Sequence, residues 1–205
     1  MDADRRARLT DAALREFAGG YHTANTDAIA EAAGISKGLI FHYFGTKKGL
    51  FVYLLRHSAE VMNAEYERVT LDSRDFIENV RAVTRVAIQS IAEHPLVYAF
   101  IAKARISLPE VLPEGMPADI PDSAGALLGH IMTSSDATHF RDDIDPQKAQ
   151  QILLWVTSGF AATLDKYGDD LEAYAEHAEE AMTELDEYLA VLRKMLYKAD
   201  ETEQI

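Results

Sequence analysis

Apolar side chains recur every three to four residues along most of the chain, which is the spacing of one helix face. The first example is the run Leu9, Ala13 and Phe17, which is followed by a Gly-Gly pair at 19–20 and predicts a helix over residues 4–18. No segment alternates apolar and polar residues with comparable strength, as a half-buried strand would. The pattern therefore predicts an all-α fold.

The next pattern is a pair of short helices separated by a tight turn. Asn25 or Thr26 can cap a helix that runs through Ala33, and Gly34 supplies the left-handed residue that often follows a helix. Ser36 caps the following helix only two residues later. Two short helices joined by a glycine-containing turn are typical of a helix-turn-helix.

Longer helices are predicted in the rest of the chain, at residues 46–69, 73–93, 95–108, 122–134, 146–166 and 171–197. Four prolines, at positions 109, 113, 117 and 121, recur every four residues between two of these helices. Proline removes a helical hydrogen bond and clashes with the preceding turn. This spacing therefore predicts a stiff, irregular connection.

The last predicted helix has a narrow apolar stripe and an acidic face. Its apolar positions alternate steps of three and four residues: Leu171, Tyr174, Ala178, Ala181, Leu185, Tyr188, Leu192 and Met195. The glutamates between them are interpreted as a solvated face rather than a metal site. The stripe fits either a seam within the chain's own core or a dimer interface shared with residues 148–164, and we expect the dimer interface.

Charge is distributed unevenly along the chain, whose formal net charge is −14. The first 50 residues carry seven basic and six acidic side chains, so nearly all of the acidity lies beyond them. A polyanion such as DNA requires local positive charge, and only the N-terminal part offers it. We therefore expect a DNA-binding domain over residues 1–48 and an acidic helical domain over residues 49–205.

Several classes of protein are disfavoured by what the sequence lacks. Cysteine is absent and no apolar run is long enough to span a bilayer, so we expect a cytoplasmic protein without membrane contact. The motifs of metalloproteases, phosphate-binding loops and α/β-hydrolases are missing, so the sequence predicts no enzyme, no cofactor and no metal site. The nearest approach to a catalytic cluster is His139 with Asp142 and Asp143, whose spacing fits a surface turn better.

The short helix after Ser36 presents an unusual outward surface. At about 100° per residue, Ile40 and Phe44 share the inward side. The other side carries Gly38 and His42, flanked by Leu39, Phe41 and Tyr43 and bracketed by Lys37, Lys47 and Lys48. Glycine lets another molecule approach the backbone, and lysine ammonium groups can reach phosphates. This surface suits the major groove of a DNA duplex.

Together these residues resemble the N-terminal domain of the tetracycline-repressor (TetR) family. The resemblance is carried in order by residues 29–38 (IAEAAGISKG), by His42-Tyr43-Phe44 and by residues 47–51 (KKGLF). It implies an N-terminal three-helix helix-turn-helix domain followed by a larger helical ligand-binding and dimerisation domain. It also implies a homodimer, paired through the last two helices, that represses transcription from a palindromic operator until a small-molecule effector binds.

Carried over position by position, the resemblance implies DNA contacts from Asn25, Thr26, Ser36, Lys37, Gly38, Leu39, Phe41, His42, Tyr43, Thr46 and Lys47. Leu39 and Phe41 depart from the Thr or Asn and the Tyr that the family often has there, which predicts apolar contact with thymine methyl groups. The segment 24–26 departs too, because it keeps a cap but replaces one apolar packing residue. The base preference therefore stays open.

A ligand cavity would draw on aromatic and charged side chains of the middle and later helices. The candidates are Tyr98, Phe100, Arg105, His130, Trp155 and Phe160. Core packing is the alternative for each aromatic, and Arg105 or Lys103 would either meet an anionic ligand or pair with a carboxylate. A second interpretation of the whole chain is a helical protein that binds a small molecule or another protein without binding DNA.

Overall fold

The computed structural model describes residues 1–71, 73–163 and 171–199, and this part of the chain is built from helices. They are α1 (Ala3–Ala18), α2 (Thr26–Ala33), α3 (Lys37–Phe44), α4 (Lys47–Tyr66), α5 (Phe76–Glu93), α6 (Pro95–Val111), α7 (Ser123–Ser134), α8 (Pro146–Thr163) and α9 (Leu171–Leu196). The all-α prediction is confirmed. None of the described helices is long and apolar enough to cross a lipid bilayer.

Contacts divide the chain into two compact units. The first comprises Met1–Ala64 and His94–Asp122, and the second comprises Glu65–Glu93 and Ser123–Ile205. The helix α6 therefore packs with α1 although it follows α5 along the chain. The division between these compact units does not coincide with the boundary predicted between residues 48 and 49. That boundary separates a DNA-binding part from a regulatory part, and it stays a prediction.

The core of the first unit surrounds α1. Its predicted apolar stripe of Leu9, Ala13 and Phe17 is fully buried. The Phe17 ring lies 5.6 Å from that of Phe51 on α4 and 6.3 Å from that of Phe100 on α6, measured between ring centroids. Aromatic side chains bury large apolar areas, so this cluster binds α4 and α6 to the N-terminal helices. The short helices α2 and α3 thereby rest on a packed support.

The apolar stripe predicted along α9 divides between two environments. Ala181 and Leu185 are buried in the core of the second unit, and Leu192 packs against it. Tyr188 and Met195 are instead about half exposed. The side chains of Leu171, Tyr174 and Ala178 lie outside the described part of the structure. The stripe is therefore a core seam that continues into an exposed apolar face.

Several helix ends differ from their predicted positions. The helix α4 ends at Tyr66, and α5 begins only after Asp75, whose carboxylate accepts hydrogen bonds from the amides of Ile77 (2.8 Å) and Glu78 (3.3 Å). The predicted extension of α8 over residues 164–166 lies outside the described residues.

The assignment of Pro109 to an irregular connection is wrong, because this proline lies in the last turn of α6. Proline has no amide hydrogen, so the carbonyl of Arg105 lacks its usual helical donor there. The amide of Leu112 still donates to the carbonyl of Leu108 at 2.8 Å, so the final turn closes around the proline.

Candidate nucleic-acid interface

Side-chain caps set the angle between α2 and α3. Asn25, rather than Thr26, caps α2, because its Oδ1 accepts a hydrogen bond from the amide of Asp27 at 2.8 Å. Gly34 ends that helix with a φ of 64°, in the left-handed region that favours glycine. The hydroxyl of Ser36 then accepts from the amide of Leu39 at 3.3 Å. The local sequence thus fixes the turn of the helix-turn-helix.

The helix α3 faces the core with one side and solvent with the other. Ile40 is fully buried, and the Phe44 ring packs 4.9 Å from that of Tyr53. The predicted outward residues Gly38, Phe41, His42 and Tyr43 are exposed, and Leu39 is half-buried. The structure therefore brings the predicted groove-facing residues together on one surface.

A close backbone approach joins α3 to α4. The hydroxyl of Thr46 accepts from the amide of Gly49 at 3.0 Å, which begins α4. A Cβ added to Gly49 would lie only 1.9 Å from the carbonyl oxygen of Phe44. No side chain fits there, so glycine at this position sets how closely the two helices meet. Sequence reasoning used this glycine as part of a motif but missed its steric role.

The three lysines around α3 have different surroundings. Lys37 pairs with Asp27 at 2.8 Å. The ammonium of Lys47 lies 5.0 Å from the centre of the Tyr21 ring and donates to the carbonyl of His22 at 3.4 Å. Burial lowers the pKa of Lys47. Lys48 is exposed and has no partner in the described part of the chain. A phosphate would thus meet Lys48 directly but would compete with existing contacts of Lys37 and Lys47.

The start of α1 lies beside this surface, which sequence reasoning missed. The amino group of Met1 contacts the hydroxyl of Tyr43. Further along α1, the hydroxyl of Thr10 lies 2.9 Å from the hydroxyl of Tyr53, so α1 also contacts α4. Arg8 donates from Nε to the carbonyl of Ala33 at 3.2 Å and so satisfies the end of α2. The signal in the sequence was the group of arginines at positions 5, 6 and 8.

The residues predicted for a ligand cavity are divided between the two compact units. Tyr98, Phe100 and Arg105 belong to the first unit, whereas His130, Trp155 and Phe160 belong to the second. Phe100 and Phe160 are core residues, while Arg105, His130 and Trp155 are exposed. Their role in ligand binding stays a prediction without support from the described cavities.

Two cavities in the second unit are lined by other residues. The smaller, of about 130 Å³, lies among α5, α7, α8 and the end of α4, and its wall includes Tyr66, Val83, Leu127 and Leu154. Burial raises the pKa of Tyr66, so its hydroxyl stays protonated at neutral pH. The larger, of about 710 Å³, is a charged cleft between α5 and α9. The smaller cavity has the apolar character of a ligand pocket.

The cluster around His139 is occupied by structural contacts. The His139 ring stacks on Tyr197 with 5.8 Å between centroids. Asp142 pairs with Lys198 at 2.7 Å and Asp143 with Arg141 at 2.7 Å. His139 and Asp142 therefore contact residues just beyond the end of α9, whereas Asp143 takes part in a local ion pair.

The sequence of the helix-turn-helix region matches a known family model. Residues 9–54 match the model described as bacterial regulatory proteins of the tetR family. The segment 9–54 belongs to the TetR family. An HTH-type transcriptional repressor of Mycobacterium tuberculosis is 42% identical over 67 residues, which are 32% of this chain. The matched segment spans 36% of the length of that repressor.

The fold similarity extends over nearly the whole chain. A TetR-family transcriptional regulator of Chloroflexus aurantiacus superposes with a TM-score of 0.70 at 21% identity, over 97% of this chain and 96% of that one. FadR of Bacillus subtilis, solved in complex with stearoyl-CoA, gives a TM-score of 0.61 at 17% identity, over 87% of this chain and 96% of FadR. The second unit therefore completes a TetR-family fold.

Proposed function

We propose that this protein is a ligand-responsive transcriptional repressor that binds a palindromic operator as a homodimer. The observation that carries the proposal is the solvent-facing side of α3, where Gly38, His42 and Tyr43 are exposed together within the segment that matches the TetR family. A helix held by its buried side and free on the other is suited to enter a major groove.

The chemistry of this face supports groove contact. A Cβ at Gly38 would meet only the Ser36 hydroxyl, 4.0 Å away, so the helix backbone is open to close approach. His42 and Tyr43 offer hydrogen bonds to bases or phosphates, and the partly exposed Phe41 offers apolar contact to a thymine methyl group. The predicted contacts at Asn25, Thr26, Thr46 and the lysines would then position the helix along the phosphate backbone.

An exposed apolar face supports the dimer. On α8, Ile152 and Trp155 are three residues apart and 39% and 68% exposed. On α9, Tyr188, Val191 and Met195 follow one face and are each about half exposed. Large apolar side chains clustered on a surface indicate an interaction site. We assign the partner as a second copy, because a palindromic operator requires a two-fold symmetric protein.

The cavity of about 130 Å³ supports effector binding within the second unit. FadR of Bacillus subtilis was solved with stearoyl-CoA, and this cavity is too small for a stearoyl chain. We therefore propose a smaller, largely apolar effector with one acceptor for the Tyr66 hydroxyl. Its binding would release DNA only if it favours a conformation in which the two α3 helices no longer fit the operator.

Selection of bound duplexes from a random pool tests the proposal. The expected result is enrichment of an inverted repeat whose half-sites are about one helical turn apart. A His42→Ala/Tyr43→Ala double variant is the control and should enrich nothing comparable. If the unmodified protein enriches no duplex, the proposal fails in favour of a small-molecule or protein-binding protein that does not bind DNA.

A further inference from the structure

The first turns of α1 lie against the end of the helix-turn-helix. Met1 contacts the hydroxyl of Tyr43, and one face of α1 meets α4 through the hydroxyl pair of Thr10 and Tyr53, which are 2.9 Å apart. Arg6 lies between these two contacts along the chain. Its carbonyl accepts the Thr10 hydroxyl at 2.9 Å, so Arg6 is one turn from Thr10 on the same face.

Arg6 differs from the two arginines beside it. Arg5 pairs with Asp2 at 3.4 Å, and Arg8 donates to the carbonyl of Ala33. The side chain of Arg6 is exposed and contacts no partner among the residues that the structure describes. A guanidinium without an internal partner is available to an external anion.

The direction of the Arg6 side chain follows from helix geometry. Side chains tilt toward the N-terminus of their helix, which here carries Arg6 toward the contact between Met1 and Tyr43. The nearby acid Asp4 lies roughly 160° around the helix from Arg6, so it is on another face. Asp2 is used as the cap of α1 and as the partner of Arg5. The positive charge of Arg6 therefore extends the exposed surface of α3 beyond Tyr43.

We propose that Arg6 binds a phosphate of the DNA backbone flanking the bases that α3 contacts. This inference rests on the proposed function, and it adds α1 to an interface otherwise made by α2, α3 and the start of α4. A guanidinium presents a planar pair of donors that matches two phosphate oxygens. The contact fixes the position of α3 in the groove and is independent of base sequence.

Titration of the full-length protein against its selected duplex, at several KCl concentrations, tests the proposal by fluorescence anisotropy. In a dimer the substitution removes one phosphate contact from each subunit, so the slope of log K against log [KCl] should become shallower by about 1.8, which corresponds to about sixtyfold weaker binding near 0.1 M salt. Arg6→Ala should show this change on the selected duplex and on a scrambled one. Arg6→Lys should restore the slope, because lysine keeps the charge.

Arg15→Ala is the matched control, since it removes the same charge from the same helix two and a half turns away. Arg15 is paired with Asp11 at 3.0 Å, and its removal should leave the slope unchanged. Arg6→Ala with an unchanged slope, while the unmodified protein binds the duplex, overturns the role of Arg6 alone. Failure of the unmodified protein to bind any duplex overturns the proposed function and this inference together.

Discussion

The hydroxyl of Tyr197 donates a 2.7 Å hydrogen bond to Oδ1 of Asp75 and thereby joins the end of α9 to the start of α5. Arg193 donates to the other carboxylate oxygen of Asp75 at 2.7 Å and also pairs with Glu78 at 2.8 Å. Asp75 itself caps α5 through the amide of Ile77. One carboxylate thus organises two helix ends that are more than a hundred residues apart.

Loss of the Tyr197 hydroxyl should weaken the second unit. Tyr197→Phe keeps the buried ring but removes a hydrogen bond to a carboxylate, and we expect the free energy of unfolding to fall by about 1.5 kcal/mol. Urea unfolding at one fixed protein concentration measures the change. Tyr188→Phe, which alters a half-exposed tyrosine of α9, should have little effect, and equal losses for both variants would contradict the role of this contact.

The Asp75 carboxylate should also make stability depend on acid pH. Burial alone would raise its pKa, but hydrogen bonds from Arg193 and Tyr197 outweigh burial, and the net pKa is lowered. A lowered folded pKa means that the stabilisation is complete above the unfolded value of about 3.9 and is lost as the pH falls through the folded pKa.

Asp75→Asn tests this dependence. The variant should be less stable than the unmodified protein at pH 7, by about 2 kcal/mol, because the hydrogen-bonded charge is gone. The difference should begin to shrink below about pH 4, where the unfolded state takes up the proton, and should be smallest once the pH lies below the lowered pKa of the folded carboxylate. Unfolding midpoints measured across this range check it, and parallel pH curves for the two proteins would contradict it.

Gly38→Ala should separate folding from DNA binding. The added Cβ meets nothing closer than 4.0 Å within the protein, and alanine favours helix, so stability should rise by about 0.5 kcal/mol. The same methyl group would stand between α3 and the DNA, and we expect at least about tenfold weaker binding, which is about 1.4 kcal/mol. Thermal unfolding and anisotropy titration measure the two effects. Unchanged affinity would remove Gly38 from the interface.

Gly49→Ala should displace α3 relative to α4. Its Cβ would overlap the carbonyl of Phe44 at 1.9 Å, so α3 and α4 must separate, at a cost of about 1–3 kcal/mol. DNA binding should fall as well, because the recognition surface moves. Gly129→Ala on α7 is the matched control: no atom lies within 4 Å of its added Cβ, and it should stabilise the protein slightly.

Charge introduced into the exposed apolar face should disrupt the dimer. Val191→Glu and Trp155→Glu each place a carboxylate where we expect the partner's apolar surface, so light scattering should report monomers. The control is Ile106→Glu, which changes a 77% exposed isoleucine of α6 and should leave the oligomeric state as it is. Persistent dimers in both test variants would contradict the assignment of this face.

The sequence predicted the helix-turn-helix closely because its signals are local. The caps predicted at Asn25 or Thr26 and at Ser36, the left-handed Gly34 and the buried Ile40 each depend on neighbours within a few residues. The end of α6 was predicted less well. Pro109 disfavours a helix locally, but the residues around it still form the last helical turn. The cavity residues stay a prediction, because aromatic side chains at helical spacing fill a core and line a pocket with the same pattern.

By itself, the sequence determined that the chain is helical, where its short N-terminal helices lie to within a residue, and which side of α3 faces outward. These properties follow from backbone preference and apolar periodicity, which act over one or two turns. Only the tertiary structure decided that α6 joins the first unit, that Gly49 touches the carbonyl of Phe44, and that the start of α1 reaches Tyr43. The local pattern of apolar residues does not encode those contacts. Packing and steric fit between helices select them instead.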